Sequence, residues 1–191
     1  MKLLDGKKLS EKILANLKKE VRKSNLKLRL AVVQVGENSV SQIFINQKKK
    51  ACKLVGVDFK LYRFDEKINP QGLKKEIKKI VRNPANSGII IQLPLPEKFL
   101  PEEFLNLIPE KKDTDVLSEK NLGEFYQGIL SILPPTVNGI LCLLKNYKIE
   151  PKGKNVVVIG TGRLVGFPLA IQLLKEKATL SVLNEFTKDA P

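Results

Sequence analysis

Lys48 stands in the apolar stripe of a helix-like segment. Placed on a helix, residues 40–55 align Val40, Ile43, Phe44, Gln47, Lys48, Ala51, Cys52 and Val55 along one face. Lys49 and Lys50 fall on other faces, where solvent accounts for them. A lysine turned away from water has its charged form disfavoured, which makes it a usable base or proton donor near neutrality. The alternative is a side chain that snorkels past its neighbours to water. Gln92 closes the apolar run GIIIQ, the end at which open α/β sheets place ligand-contacting groups. Pro94 and Pro96 then fix the direction of the loop and remove amide donors; in the plainer reading Gln92 only satisfies that loop. In KKDTDV, Asp113 and Asp115 share a side if the chain is extended, so either can accept hydrogen bonds from a bound heterocycle. The competing reading is an Asx-turn with solvated charges.

The absent residues narrow the chemistry further. The 191-residue chain has no histidine and no tryptophan. A Ser-His-Asp triad, a Cys-His pair and most zinc sites are therefore excluded, and no metal is expected. Acid–base work falls to Lys, Asp, Glu, Tyr or Cys. Cys52 and Cys142 lie far apart in helix-like segments and read as small buried hydrophobes in a reducing cytoplasm. The opening MKLLDGKKLSEK has no apolar run of signal-peptide length, and no segment is long enough to span a membrane. A formal charge of +14 admits a basic nucleic-acid-binding α/β protein. The lysines are dispersed, however, and aromatics are only 6% with no stacking platform, which counts against that reading.

These residues must be held by an alternating scaffold. Residues 8–23 carry helical apolar spacing, with Ser10 a candidate N-cap. RLAVVQVG (29–36) is a near-continuous apolar run ending in glycine, as buried parallel strands are. Helix 39–55, strand VDFKLYRF, a helix opening on Pro70 and the run 88–96 follow. This β-α-β-α-β order predicts a parallel α/β sheet. Residues 97–135 are less regular, with one short helical stretch, PEEFLNLI. TVNGILCLLKNYKI reads as a connecting helix and EPKGKN as a turn cluster. NVVVIG, TGRLVGFPLAIQLLKEK and ATLSVLN then read strand–helix–strand. The expected organisation is an N-terminal parallel α/β catalytic domain, 1–135, followed by an incomplete Rossmann-like domain, 136–191. A nucleotide-binding half usually has three strands, so the sequence is expected to continue beyond Pro191.

SQIFINQKKKACKLVG (41–56), GIIIQLPLP, KDTD, PPTVNGI and GKNVVVIGTGRLVGFPLAIQLL resemble, in order, the signatures of the methylenetetrahydrofolate dehydrogenase/cyclohydrolase family. The resemblance implies oxidation of 5,10-methylenetetrahydrofolate with NAD(P) and hydrolysis of the product to 10-formyltetrahydrofolate. These steps belong to one-carbon metabolism and supply purine biosynthesis. It implies that Lys48 is the catalytic lysine, that Gln92 tunes and positions it, and that Asp115 binds the pterin ring. Phe44 holds the position of a tyrosine that stacks on folate, without the hydroxyl. Val116 replaces a glycine after Asp115, and Pro135 and Val137 replace a cysteine and a proline. A cytoplasmic homodimer acting on tetrahydrofolate derivatives, with neither nucleic acid nor membrane as partner, is also implied. The competing reading within the family is a degenerate or truncated folate-binding homologue without dehydrogenase activity.

Gly160, Gly162 and Gly166 form G-x-G-x-x-x-G between a strand and a helix, the setting for a pyrophosphate on a helix N-terminus. Thr161 and Arg163 lie in the same turn, and Arg163 has the charge to meet a 2′-phosphate. Glu185 follows the next strand, about where Rossmann proteins put an acid on the ribose 2′-hydroxyl. The resemblance implies NADP, whereas an acid at that point favours NAD, and both cofactors stay open.

Overall fold

The structure is a computed structural model describing residues 3–188. It divides into two compact units, Ser10–Leu122 and a second that joins Met1–Leu9 to Gly123–Pro191. The predicted α/β class holds in both, since both sheets are parallel.

In the first unit the sheet order is β2-β1-β3, with β1 Arg29–Val35, β2 Asp58–Phe64 and β3 Gly88–Ile91. Residues 31–35 are all buried, which is why that run lacks the polar alternation of a one-sided strand. Helix α2 (Ser39–Val55) links β1 to β2, and α3 (Pro70–Arg82) links β2 to β3. They cover opposite faces of the sheet. Val32 and Ile90 pack with Ile45 of α2, while Ala31, Val33, Ile89 and Ile91 pack with Leu73, Ile77 and Ile80 of α3. Both helices start on an asparagine cap: Asn38 accepts from the Ser41 amide at 2.8 Å and Asn69 from the Gly72 amide at 2.7 Å. Gly56, at φ 89°, ends α2 in the left-handed region and donates to the Cys52 carbonyl.

Several sequence expectations need correction. α1 (Gly6–Ser24) begins before Ser10, and the cap is Asp5, whose carboxylate accepts the Lys8 amide at 3.0 Å. β3 stops at Ile91, because the chain turns away at Gln92 and Pro94 instead of continuing as strand to residue 96. PEEFLNLI shortens to α4 (Pro101–Leu105), and a helix that periodicity did not reveal, α5 (Glu119–Gln127), follows it. Cys52 is buried as expected, but Cys142 is only half-buried.

In the second unit α6 (Pro135–Asn146) leads to β4 (Asn155–Ile159), α7 (Gly166–Lys175) and β5 (Thr179–Leu183), with β4 and β5 paired in parallel. The helix expected from residue 161 starts only at Gly166; residues 163–165 before it form a turn. No described helix is long and apolar enough to cross a membrane.

Candidate active site

Gln92 follows β3 directly, and its amide is held by the Val33 carbonyl at 2.9 Å. Its side-chain Nε2 donates to the Leu93 carbonyl at 2.8 Å, which turns Oε1 the other way. That oxygen accepts from Lys48 Nζ at 3.0 Å. Asp115 approaches the same ammonium from the loop after the 3₁₀ turn Glu110–Lys112, with Oδ2 4.0 Å from Nζ. Three segments distant in sequence thus converge on one cation. An ammonium has three donors: Gln92 takes one, Asp115 draws a second, and a third can face a ligand.

Lys48 does not lie where the apolar stripe placed it. Val40, Ile43 and Phe44 are exposed, Phe44 at 57%, and Gln47 is exposed with them. The face of α2 that packs on the sheet is Ser41, Ile45, Cys52 and Val55. Lys48 sits at the seam of the two faces, with its side chain 29% exposed. The helix has two apolar sides, and the inner one is marked by a polar residue: Ser41 donates its hydroxyl to the Leu93 carbonyl at 3.3 Å. The outer side offers a phenyl ring one turn from the ammonium.

The two aspartates diverge, contrary to the expectation of a shared side. Asp113 is buried and turned onto its own loop. Asp115 faces Lys48, and burial pushes its carboxyl above the ordinary aspartate value. The Lys48 charge opposes that rise and the charge of Asp113 adds to it. A half-buried carboxylate beside a half-buried ammonium can accept N–H groups of a flat heterocycle while the lysine moves a proton.

In the other unit, Gly160 ends β4 at φ 98° and its amide donates to the Leu183 carbonyl at 2.7 Å. A Cβ on Gly166 would lie 1.9 Å from the Gly160 carbonyl oxygen, so only glycine lets α7 start this close to the strand. A Cβ on Gly162 would meet nothing within 4 Å, which leaves that backbone open to an approaching ligand. The turn therefore fits a pyrophosphate at the start of α7. A groove of about 790 Å³, lined by Ile140, Val157, Ile159 and Leu169, runs up to Gly160, Gly162 and Arg163. Thr161 and Arg163 are exposed in the turn. The Arg163 charge also reaches Tyr126, whose hydroxyl is raised by burial and lowered by that arginine. Glu185 is exposed at the tip of a tight turn after β5, in which the Phe186 amide donates to Asn184 Oδ1 at 3.0 Å and the Thr187 amide to the Asn184 carbonyl at 3.0 Å.

Known proteins share this plan. A profile of the tetrahydrofolate dehydrogenase/cyclohydrolase catalytic domain matches residues 4–115, and one of that family's NAD(P)-binding domain matches residues 134–191. The chain belongs to the tetrahydrofolate dehydrogenase/cyclohydrolase family. Among the relatives of this family member, the bifunctional protein FolD of Sulfurimonas denitrificans is 39% identical over 193 residues, covering 99% of the chain and 68% of the relative. The crystal structure of the bifunctional FolD enzyme from Campylobacter jejuni superposes with a TM-score of 0.93 at 38% identity, over 99% of the chain and 68% of that protein. The FolD structure from Trypanosoma brucei, complexed with NADP cofactor and an inhibitor, gives 0.89 at 28% identity, over 96% and 64%.

Among the described residues no cluster of His, Cys, Asp and Glu is arranged to hold a metal. The residues that sequence reasoning passed over at this site are Ser41, which ties α2 to the Leu93 carbonyl, and Asn121, which holds Asp113 at 3.0 Å. Both are polar residues at helix positions that face inward, which a search for apolar periodicity skips.

Proposed function

We propose that the protein oxidises 5,10-methylenetetrahydrofolate to 5,10-methenyltetrahydrofolate with a nicotinamide dinucleotide and hydrolyses the product to 10-formyltetrahydrofolate. Family membership and one observation support this reading: Lys48 Nζ stands 3.0 Å from Gln92 Oε1 and 4.0 Å from Asp115 Oδ2, one helical turn from an exposed Phe44 ring.

Residues 1–135 form the folate-binding domain, and 136–191 carry the connecting helix and the nucleotide-binding turn. Asp115 accepts N–H groups of the pterin, and Phe44 stacks against the remainder of the folate. Gln92 keeps the Lys48 ammonium aimed at the one-carbon bridge. In the hydrolytic step water adds to the amidinium carbon of the methenyl group, and Lys48 Nζ carries protons between that water and the ring nitrogen released when the C–N bond breaks. The net reaction consumes one water and releases one proton. Phe44 lacks a hydroxyl, so no proton passes through it. A bound dinucleotide would supply the acceptor for the hydride that leaves the methylene carbon. Gly160, Thr161, Gly162, Arg163 and Gly166 would hold its pyrophosphate, and Glu185 its adenosine ribose.

Glu185 also bears on which dinucleotide is used. A carboxylate accepts a hydrogen bond from a ribose 2′-hydroxyl and repels a 2′-phosphate. The proposed cofactor is NADP or NAD, with the family resemblance favouring the first and Glu185 the second. From the family resemblance we place the enzyme in the cytoplasm, as a homodimer.

The test is an absorbance assay on the protein and a Lys48→Met variant. The wild type should form NAD(P)H with methylenetetrahydrofolate and consume methenyltetrahydrofolate. The variant should lose the hydrolysis by at least about 100-fold, as expected when a positioned proton donor is removed, and retain folate binding. A wild type with neither activity sinks the proposal.

A further inference from the structure

We propose that Asp113 is a positioning residue for Asp115, acting through a brace that holds the intervening loop in one conformation. The inference rests on the folate-binding reading of Asp115. The Asp113 carboxylate accepts the Leu117 amide at 3.0 Å, the Ser118 amide at 2.9 Å and Asn121 Nδ2 at 3.0 Å. Its backbone pairs with Ile89 of β3 as an added parallel bridge. The loop is thus pinned to the sheet at residue 113 and, at 117 and 118, to the two residues that lead into α5.

Only three residues, Thr114 to Val116, connect those two anchors, and the chain must reverse within them. Val116 adopts φ 57°, the left-handed region, although it is β-branched and fully buried. Such a residue keeps that backbone only where the surroundings over-determine it. The brace supplies that determination. Thr114 is pressed against Gly88, where a Cβ would come within 2.6 Å of its Cγ2. Asp115, between Thr114 and the strained Val116, is left with its carboxylate toward Lys48. Asp113 also acts through its charge, which helps to hold the Asp115 carboxyl above the ordinary value.

The experiment is a double-mutant cycle of Asp113→Asn and Asp115→Ala, read by calorimetric binding of 5-formyltetrahydrofolate. Circular dichroism checks folding, and Asn121→Ser is the milder break of the same brace if Asp113→Asn does not fold. Asp113→Asn should weaken binding by about tenfold, typical for loss of a charged acceptor, and add nothing further on the Asp115→Ala background. A merely structural role gives the same weakening on both backgrounds, and that result overturns the proposal, as does unchanged binding in the single variant. A second readout needs no folate: by carboxyl-carbon NMR, the titration of Asp115 should move to lower pH in Asp113→Asn and also in Asn121→Ser, which loosens the brace and leaves the Asp113 charge in place. A wild type that binds no folate defeats the folate reading. The NMR titration still decides the brace, and an unmoved Asp115 midpoint overturns it.

Discussion

Replacing Asp115 with asparagine should stabilise the protein at neutral pH while it abolishes tight folate binding. Burial raises the Asp115 carboxyl, Lys48 lowers it and Asp113 raises it again, with a net rise. A carboxyl that titrates higher when folded binds more protons in the folded state than in the unfolded one. Its contribution to stability therefore declines as pH climbs from the ordinary aspartate value of about 3.9 toward the folded value, and stays unfavourable above it. Asparagine keeps the volume and drops the charge, which removes that deficit but also deprives Lys48 of its partner. At 4.0 Å two unit charges attract by about 4 kcal/mol at an effective dielectric of 20 and by about 1 kcal/mol in water. With side chains 29% and 24% exposed, the lost attraction lies between those limits, and the direction of the shift requires the cost of burying the carboxylate to exceed it. The net gain is on the order of 1 kcal/mol, or about 2–4 °C in Tm for a chain of this size. Urea unfolding followed by far-UV circular dichroism, run on both proteins from about pH 3.5, below the ordinary aspartate value, to about pH 8, reads the difference directly. The variant's advantage should be largest at the top of that range and shrink as the pH falls. A variant less stable than wild type near pH 8, or an advantage equal at every pH, refutes the argument from burial.

Gly88→Ala should cost about 1–3 kcal/mol by overpacking, because its Cβ would sit 2.6 Å from Thr114 Cγ2. Thr114→Ser removes that methyl and should restore most of the stability; urea midpoints that show no loss in the single variant contradict the packing. Gly166→Ala should abolish binding of 5′-AMP while folate binding persists, since the new methyl would lie 1.9 Å from the Gly160 carbonyl oxygen. Calorimetry with each ligand separates the two effects. For Glu185, the wild type should bind 5′-AMP more tightly than 2′,5′-ADP, and Glu185→Arg should reverse the order. Equal affinities in both proteins would show that this acid does not read the ribose.

Local rules carried much of the fold into the sequence. The unbroken run at 29–35 is apolar because the strand is covered on both faces by α2 and α3, and that pattern admits few other structures. Gly160 and Gly166 were legible because a strand-to-helix turn with a 1.9 Å constraint tolerates no other residue at 166. α5 was hidden for a definite reason. Its inward positions one turn apart are Asn121 and Phe125, and only one of them is apolar. The asparagine that breaks the pattern is the one that braces Asp113, so the function of the residue concealed the helix. The role of Asp113 was equally out of reach. Its partners are two backbone amides and that asparagine, reached through a turn in which valine takes a backbone that sequence rules reserve for glycine.

The reading of α2 is the more instructive one, because the apolar stripe is only in part the face that the sheet covers. An apolar stripe was read as the buried face and Lys48 as a charge trapped in it. The N-terminal half of the stripe, Val40, Ile43 and Phe44, is in fact outside, while Cys52 and Val55 belong to the buried face that begins with Ser41. Helical periodicity reports that a face is apolar, not what covers it. Here the sheet covers one apolar side, and Val40, Ile43 and Phe44 remain open on the other. An open apolar face ending at a half-buried ammonium is what a flat, largely apolar ligand with a reactive polar centre requires. The lysine belongs at the seam. There the sheet supplies Gln92 to aim it, the loop supplies Asp115 to balance it, and the open side leaves it within reach of a substrate.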